Sequence, residues 1–470
     1  MARRRSLVRL ISLFVVLMML CPFSRSATHV KHLPGFNAAP LPFRMETGYL
    51  TVDEVSGVEL FYYFIESERN ASEDPVLLWL SGGPGCSSFT ALFFEIGPVK
   101  FRIAAYDGTV PTLYQNPYSW TKVSSIIFVD YPAGAGFSSP PVSQNYKTGD
   151  ASCSNQVYVF LKKWLVEHPR FHSNDFYVAG DSQGGMIVPI VAQLIAQGNE
   201  VEDGPLINLQ GYIIGNPRTG EEIDVKARVP FALGMGIISD EFAGLVQKNC
   251  AGQNDESPTT AACAAHLKTF QRYRWELSET DVLEPKCAVD FPRPKDVAGE
   301  YYKRSLKEDN FGNRLFRPPP APELRCKGYA YYLGYFWANK NVTREALQIK
   351  KGTVREWQRC NTLDYVKDIP SSLPYQLNLL KRGYRALVYS GDHDMLIPFV
   401  GTKVWIKSLN FTVEDPWRSW SVDNQVAGYT VQYSHNLTFA TVRDAGHTAP
   451  EYRPQQCFAM FDRWSSRKPL

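Results

Sequence analysis

Short runs of apolar, β-branched and aromatic residues recur along the chain: Val76–Leu80, Ile126–Val129, Phe176–Ala179, Tyr212–Ile214, Ala386–Tyr389 and Phe439–Val442. None of them alternates with polar residues. A strand with one face in water alternates; a continuous apolar run belongs to a strand buried on both faces, as in a mainly parallel sheet covered by helices. Helical patterns over Val157–Val166 and Met186–Ala196 fall between such runs, with Pro189 expected in the first turn of the second. The strand runs thin out between about Pro217 and Tyr332, where Cys250, Cys263, Cys287 and Cys326 cluster. Within that region Phe291–Pro322 is charged and proline-rich, a composition that buries little and reads as an exposed excursion. The reading is one α/β domain in two parts, 27–216 and 333–470, interrupted by an inserted subdomain over 217–332.

The N-terminus is excluded from that domain. Arg3, Arg4 and Arg5 precede an apolar run from Leu10 to Leu20, and small residues follow at Ser24, Ser26 and Ala27, the order of a secretory signal peptide over residues 1–26. That run is short for a membrane span, and no later one is long enough, so no membrane association is expected once the signal is removed. Asn-x-Ser/Thr sequons at Asn70, Asn341, Asn410 and Asn436 are candidate glycosylation sites in that compartment. Eight cysteines remain after the signal; most are expected to pair in an oxidising compartment, with connectivity open, and no pattern points to a metal. A formal net charge of +3 over 470 residues gives no case for nucleic acid.

The chemistry gathers at the ends of these runs. Gly180-Asp-Ser182-Gln-Gly184 lies between the strand-like "FYVAG" and a helical pattern, the context of a nucleophile elbow. A serine hydroxyl needs a positioned base, and in this arrangement an acid and a histidine follow downstream. "YSGDHDMLIP" offers Asp392 and Asp394, of which Asp394 is preferred as the acid while Asp392 also suits a turn cap. "TVRDAGHTAP" offers His447, favoured over His29 and His32 near the cleavage site, His168 and His172 at a helix end, His393 beside the acid and His435 beside a sequon. An oxyanion hole needs two backbone N–H groups. The residue after the serine, Gln183, supplies one, and the glycine-rich "LLWLSGGPGCSS" after an early strand supplies the other.

With these residues assembled, the chain resembles the plant serine carboxypeptidase-like family over nearly all of its mature length. The motifs that carry the resemblance include "ETGYLTVDE", "LLWLSGGPGCSS", "NPYSWTKVSSIIFVDYPAGAGFS", "FYVAGDSQGGMIVP", "GYIIGNP", "YSGDHDMLIPFVGT" and "GHTAPEYRPQQCFAMFDRW". The resemblance implies an α/β-hydrolase fold, with a mainly parallel central sheet, helices on both faces and an inserted, disulfide-containing subdomain. It implies a triad of Ser182, Asp394 and His447 and an oxyanion hole from the N–H groups of Gly83 and Gln183. Pairings of Cys86 with Cys360, Cys250 with Cys263 and Cys287 with Cys326 also follow from it, leaving Cys153 and Cys457 paired together or free. Some relatives are cut in the inserted region, for which 291–322 is the expected place here.

Departures from the peptidase pattern point to the acyltransferase branch. Peptidases of the family usually carry Asn at the position of Ser81, Glu at Asp181 and often Glu at Thr448, and relatives usually carry Tyr at Gln183. The Asn and Glu bind the free carboxylate of a peptide, so Ser81 and Asp181 are the candidate substrate-binding residues whose change weakens that recognition. The implied activity is acyl transfer from a 1-O-acyl-glucose to an acceptor alcohol, without cofactor or metal, in the vacuole or outside the cell. The alternative is a secreted or vacuolar carboxypeptidase. Phe231, Tyr273 and Trp275 of the insertion are candidates for an acceptor wall or for subdomain core.

Overall fold

The computed structural model describes residues 27–139, 146–253, 257–287 and 322–470. The signal region and 291–321 of the expected linker therefore lie outside the described residues. An eleven-stranded sheet forms the frame. In chain order its strands are β1 (Ala27–Val30), β2 (Met45–Asp53), β3 (Val58–Ile65), β4 (Val76–Leu80), β5 (Ser125–Val129) and β6 (Phe176–Asp181). They continue with β7 (Leu209–Gly215), β8 (Arg385–Gly391), β9 (Val413–Val422), β10 (Gln425–Tyr433) and β11 (Leu437–Val442). Their spatial order is β1-β2-β3-β5-β4-β6-β7-β8-β11-β10-β9.

The segment β5-β4-β6-β7-β8-β11 is parallel throughout, and its strands are the continuous apolar runs seen in the sequence. Side chains alternate between two separate cores: Leu77, Trp79 and Tyr389 enter one, Val76, Leu78, Leu80 and Val388 the other. Both sides are covered. Trp337 and Trp464, from helices Gly328–Asn339 and Pro454–Ser465, close the first core. Trp164 and Ile187, from helices Asp150–Glu167 and Gly184–Glu200, close the second. With no water on either face, an apolar residue at every position is the only composition that costs nothing to bury. Pro189 sits inside Gly184–Glu200 at its sixth residue, beyond the first turn where it was expected.

Antiparallel strands flank this parallel centre: β1, β2 and β3 on one side, β10 and β9 on the other. β4 lies between β5 and β6, so the chain winds outward on one side of it and then on the other. Ligands gather beyond the strand ends at such a switch point.

Between β7 and β8 the described chain adds no strand to this sheet. Its first part is a set of helices, Ile223–Lys226, Arg228–Gly234, Asp240–Cys250 and Ala261–Trp275. The last two start at side-chain caps: Ser239 accepts from the Phe242 N–H and Thr260 from the Cys263 N–H. The Cys250–Cys263 disulfide staples this pair. Cys86–Cys360 and Cys287–Cys326 are the other disulfides, while Cys153 and Cys457 are unpaired and buried. Helix Gly328–Asn339 runs across position 332, where the sequence reading closes the insertion.

Candidate active site

Ser182 occupies the turn between β6 and helix Gly184–Glu200. Its φ of 52° is left-handed, a conformation that a non-glycine residue holds only where neighbours enforce it. Here the Ser182 N–H donates to the Gly215 carbonyl at 2.9 Å, and its carbonyl accepts from the Gly185 and Arg218 N–H groups at 2.9 and 2.8 Å. Packing explains the first glycine of the motif, because a Cβ on Gly180 would sit 2.2 Å from the Leu80 carbonyl oxygen of β4. The turn is pressed against the neighbouring strand end with no room for a side chain.

Two further strand ends supply its partners. The loop after β8 carries Asp394 and the loop after β11 carries His447. His447 Nε2 lies 2.8 Å from Ser182 Oγ, and Nδ1 lies 2.7 Å from Asp394 Oδ2. Asp394 is fully buried and accepts from the Leu396 N–H at 2.8 Å, the Ile397 N–H at 3.2 Å and Asn216 Nδ2 at 2.8 Å. Burial alone would favour neutral imidazole. The Asp394 charge and hydrogen bond, with Asp181 adding, outweigh it and hold His447 above the ordinary histidine range. Asp392 does not reach His447; its Oδ1 is 3.6 Å from His393 Nε2.

Asn216 is absent from the sequence-derived set. It follows β7 with φ 40°, donates to Asp394 and accepts the Gly391 N–H at 3.1 Å, tying β7 to the acid loop. The "GNP" string was its only signal, and nothing in that string specifies a bond to a residue so far along the chain.

The glycine loop after β4 lies against the elbow. A Cβ on Gly82 would fall 2.6 Å from Ser182 Cβ, so only glycine lets the loop come this close. Among the described hydrogen bonds, neither the Gly83 nor the Gln183 N–H has an acceptor within the chain. Unengaged backbone N–H groups on this loop and on the residue after the serine are the kind of donor a developing oxyanion requires. Asp181 is buried, accepts the Gly82 N–H at 3.1 Å, and is raised above the usual carboxylate range by burial, against the pull of His447. Ser81 Oγ is buried without a partner. Glu95, which sequence reasoning missed, is another buried acid, pushed well up by burial and by the Asp181 charge, with Oε2 unpartnered.

Gln183 turns its amide to Asp150 Oδ1 at 3.3 Å and is buried. Thr448 donates to Glu451 Oε2 at 2.8 Å, and the Tyr331 hydroxyl donates to the same atom at 2.7 Å. Of the insertion aromatics, Phe231 is core, edge-on to Phe399. Tyr273 is partly exposed and edge-on to Phe242, and Trp275 is 58% exposed. All four sequon asparagines are exposed. Among the described residues no helix is long and apolar enough to cross a membrane.

Fold and site together define an α/β hydrolase with serine, histidine and buried aspartate converging at the carboxyl ends of parallel strands. The serine carboxypeptidase family profile matches residues 34–467. Serine carboxypeptidase-like 2 and serine carboxypeptidase-like 3 of Arabidopsis thaliana are each 44% identical over 447 residues, covering 95% of this chain and 94% of the relative. The chain belongs to the serine carboxypeptidase family, in its plant serine carboxypeptidase-like group. Among solved structures it is similar to KEX1(delta)p, a prohormone-processing carboxypeptidase from Saccharomyces cerevisiae. The TM-score is 0.68 at 20% identity, over 93% of this chain and 94% of the other, a likeness of fold.

Proposed function

We propose that this chain is a serine acyltransferase of the secretory pathway, moving an acyl group from a 1-O-acyl-glucose to an acceptor alcohol. Ser182 Oγ attacks the ester carbonyl while His447 Nε2 takes its proton and Asp394 holds the imidazole. The N–H groups of Gly83 and Gln183 receive the oxyanion. His447 returns the proton to the glucose oxygen as it departs, leaving an acyl ester on Ser182. The acceptor hydroxyl then loses its proton to His447 and attacks that ester. As the Ser182 Oγ–acyl bond breaks, His447 returns the proton to Ser182 Oγ, freeing the enzyme and the acylated acceptor. Transfer outruns hydrolysis when the acceptor is held in line, since effective molarities of well-oriented groups reach about 10⁵ M or more.

The observation that carries this reading is the carboxylate-recognition position. Ser81 brings no amide, and the Asp181 carboxylate is turned to the Gly82 N–H. A free peptide carboxylate thereby loses the contact that discriminates for it. Three disulfides and four exposed sequons support an oxidising, glycosylating compartment, with vacuole or cell exterior as the destination. Carboxypeptidase action is the second reading, favoured by Glu95 and Asp181, two buried acids whose affinity for a proton is raised mainly by burial, as hydrogen bonding to a substrate carboxylate requires. Incubating the purified protein with acylated glucoses, acceptor alcohols and blocked dipeptides separates the two. Acyl esters of the acceptor are expected; release of C-terminal amino acids without transfer to any alcohol would reverse the conclusion.

A further inference from the structure

The acid and base loops do not hold each other unaided. His393 N–H donates to the Ala445 carbonyl at 2.9 Å, a direct bond between them. A short piece of the insertion, Glu279 to Val282, then lies across both. Its Glu279 carbonyl accepts the Met395 N–H at 3.0 Å, and its Thr280 carbonyl accepts the N–H of His447 itself at 2.7 Å. Its Val282 N–H donates to the His393 carbonyl at 3.1 Å. These bonds involve the residues on either side of Asp394 and the backbone of His447.

Side chains lock the piece in place. Asp281 is buried, accepts the Leu283 N–H at 3.0 Å, and lies 3.3 Å from His393 Nδ1. The other nitrogen of that ring, Nε2, lies 3.6 Å from Asp392 and 3.9 Å from Asp444. Arg274 pairs with Glu279 at 2.8 Å, fixing the upstream end to its helix. Fit is close on the other side as well. A Cβ on Gly446 would lie 2.2 Å from the Thr280 carbonyl oxygen and 2.8 Å from Asp281 Cβ.

We infer that Glu279–Val282 is a positioning strap for the Asp394–His447 pair, with the Asp281–His393 contact as its lock. The inserted region is thereby a working part of the catalytic frame. The inference rests on the triad assignment and is independent of whether the acyl group goes to an alcohol or to water.

The test uses His393→Ala and Asp281→Ala, with Asp281→Asn as the conservative variant that keeps an oxygen acceptor. Gly446→Ala displaces the strap from the opposite side. Each full-length protein is measured for labelling of Ser182 by a fluorophosphonate, for the pH profile of kcat/KM on an activated ester, and for thermal midpoint. Misplacement by about 1 Å costs on the order of 10²-fold in rate, so kcat and labelling are expected to fall between tenfold and a hundredfold with KM nearly constant. His447 faces Asp394, Asp181 and Arg228, and a loosened Asp394 contact lowers its proton affinity. The acid limb is therefore expected to move to lower pH in both alanine variants and Gly446→Ala, and Asp281→Asn is expected to restore most of it. Variants that label normally with an unmoved acid limb overturn the strap, as does a rate loss that tracks the thermal midpoint alone. Wild-type protein that is not labelled on Ser182 overturns the triad, and the strap with it.

Discussion

The parallel centre of the sheet and the inserted region solve the same problem, burying apolar surface, with unequal means. The centre has two extended cores and buries large rings such as Trp79, Trp164, Trp337 and Trp405 almost completely. The insertion has a small cluster built on Phe231, Ile238, Phe270, Val282 and Met395, and it leaves Trp275 at 58% and Leu283 at 63% exposure. Reaction chemistry needs atoms held to a fraction of an ångström, and the triad side chains stand on the rigid part. The insertion leaves apolar side chains in contact with solvent, a surface that can vary without disturbing that geometry. Met395 belongs to the insertion's cluster and follows Asp394 directly, so the division of labour is incomplete where the two regions meet.

Substitutions can break or sharpen that contrast. The largest effect is expected from Ser182→Ala: kcat falling by about 10⁶-fold, as for loss of a serine nucleophile, with an unchanged thermal midpoint. Retained turnover would remove Ser182 from the chemistry. Asp394→Asn should cost about 10⁴-fold in kcat, because an amide donor facing Nδ1 holds the imidazole in the tautomer that cannot take the serine proton. In the wild type, neutral His447 is the active form and its proton affinity is raised. The acid limb of kcat/KM should therefore have its midpoint above 6.5, the ordinary histidine value. A midpoint below that value would contradict the Asp394 pairing.

On the insertion side, Phe231→Ala should lower stability by roughly 3–5 kcal/mol, the cost of emptying a buried aromatic site, read as a lower denaturant midpoint. If the sheet unfolds at its original midpoint while the insertion melts first, the two regions are separate cooperative units. The smallest effect is expected at Trp275→Ala, at most about 0.5 kcal/mol in stability. Its readout is the KM for the acceptor alcohol, which should rise if this exposed ring receives it.

The same contrast explains what was legible beforehand. The strands of the parallel centre stand out as sequence because burial on both faces leaves mostly apolar residues along them. β9 does not: Glu414, Asp415 and Arg418 lie along it, and register shifts at Val413/Asp415, Asp415/Arg418 and Trp420/Ser421 break its period of two. Ser182, Asp394 and His447 were recognisable because each closes a strand run in a glycine-containing loop. Asn216 and Glu95 carry no such mark. Their importance lies in whom they meet, Asp394 for one and Asp181 for the other, and only the folded sheet arranges those meetings. Thr280 acts through a backbone carbonyl, which any residue would supply, so no sequence pattern announces it.

The path of the disulfides has a topological consequence. A cut anywhere in 291–321 would divide the protein into two polypeptides, with Ser182 on the first and Asp394 and His447 on the second. Cys250–Cys263 would then be internal to the first piece, while Cys86–Cys360 and Cys287–Cys326 would bridge the two. One bridge starts at the glycine loop after β4 and the other just beyond the strap. In such a processed form the active site becomes a subunit interface, and thiol reduction turns it from an intramolecular arrangement into an association that obeys mass action.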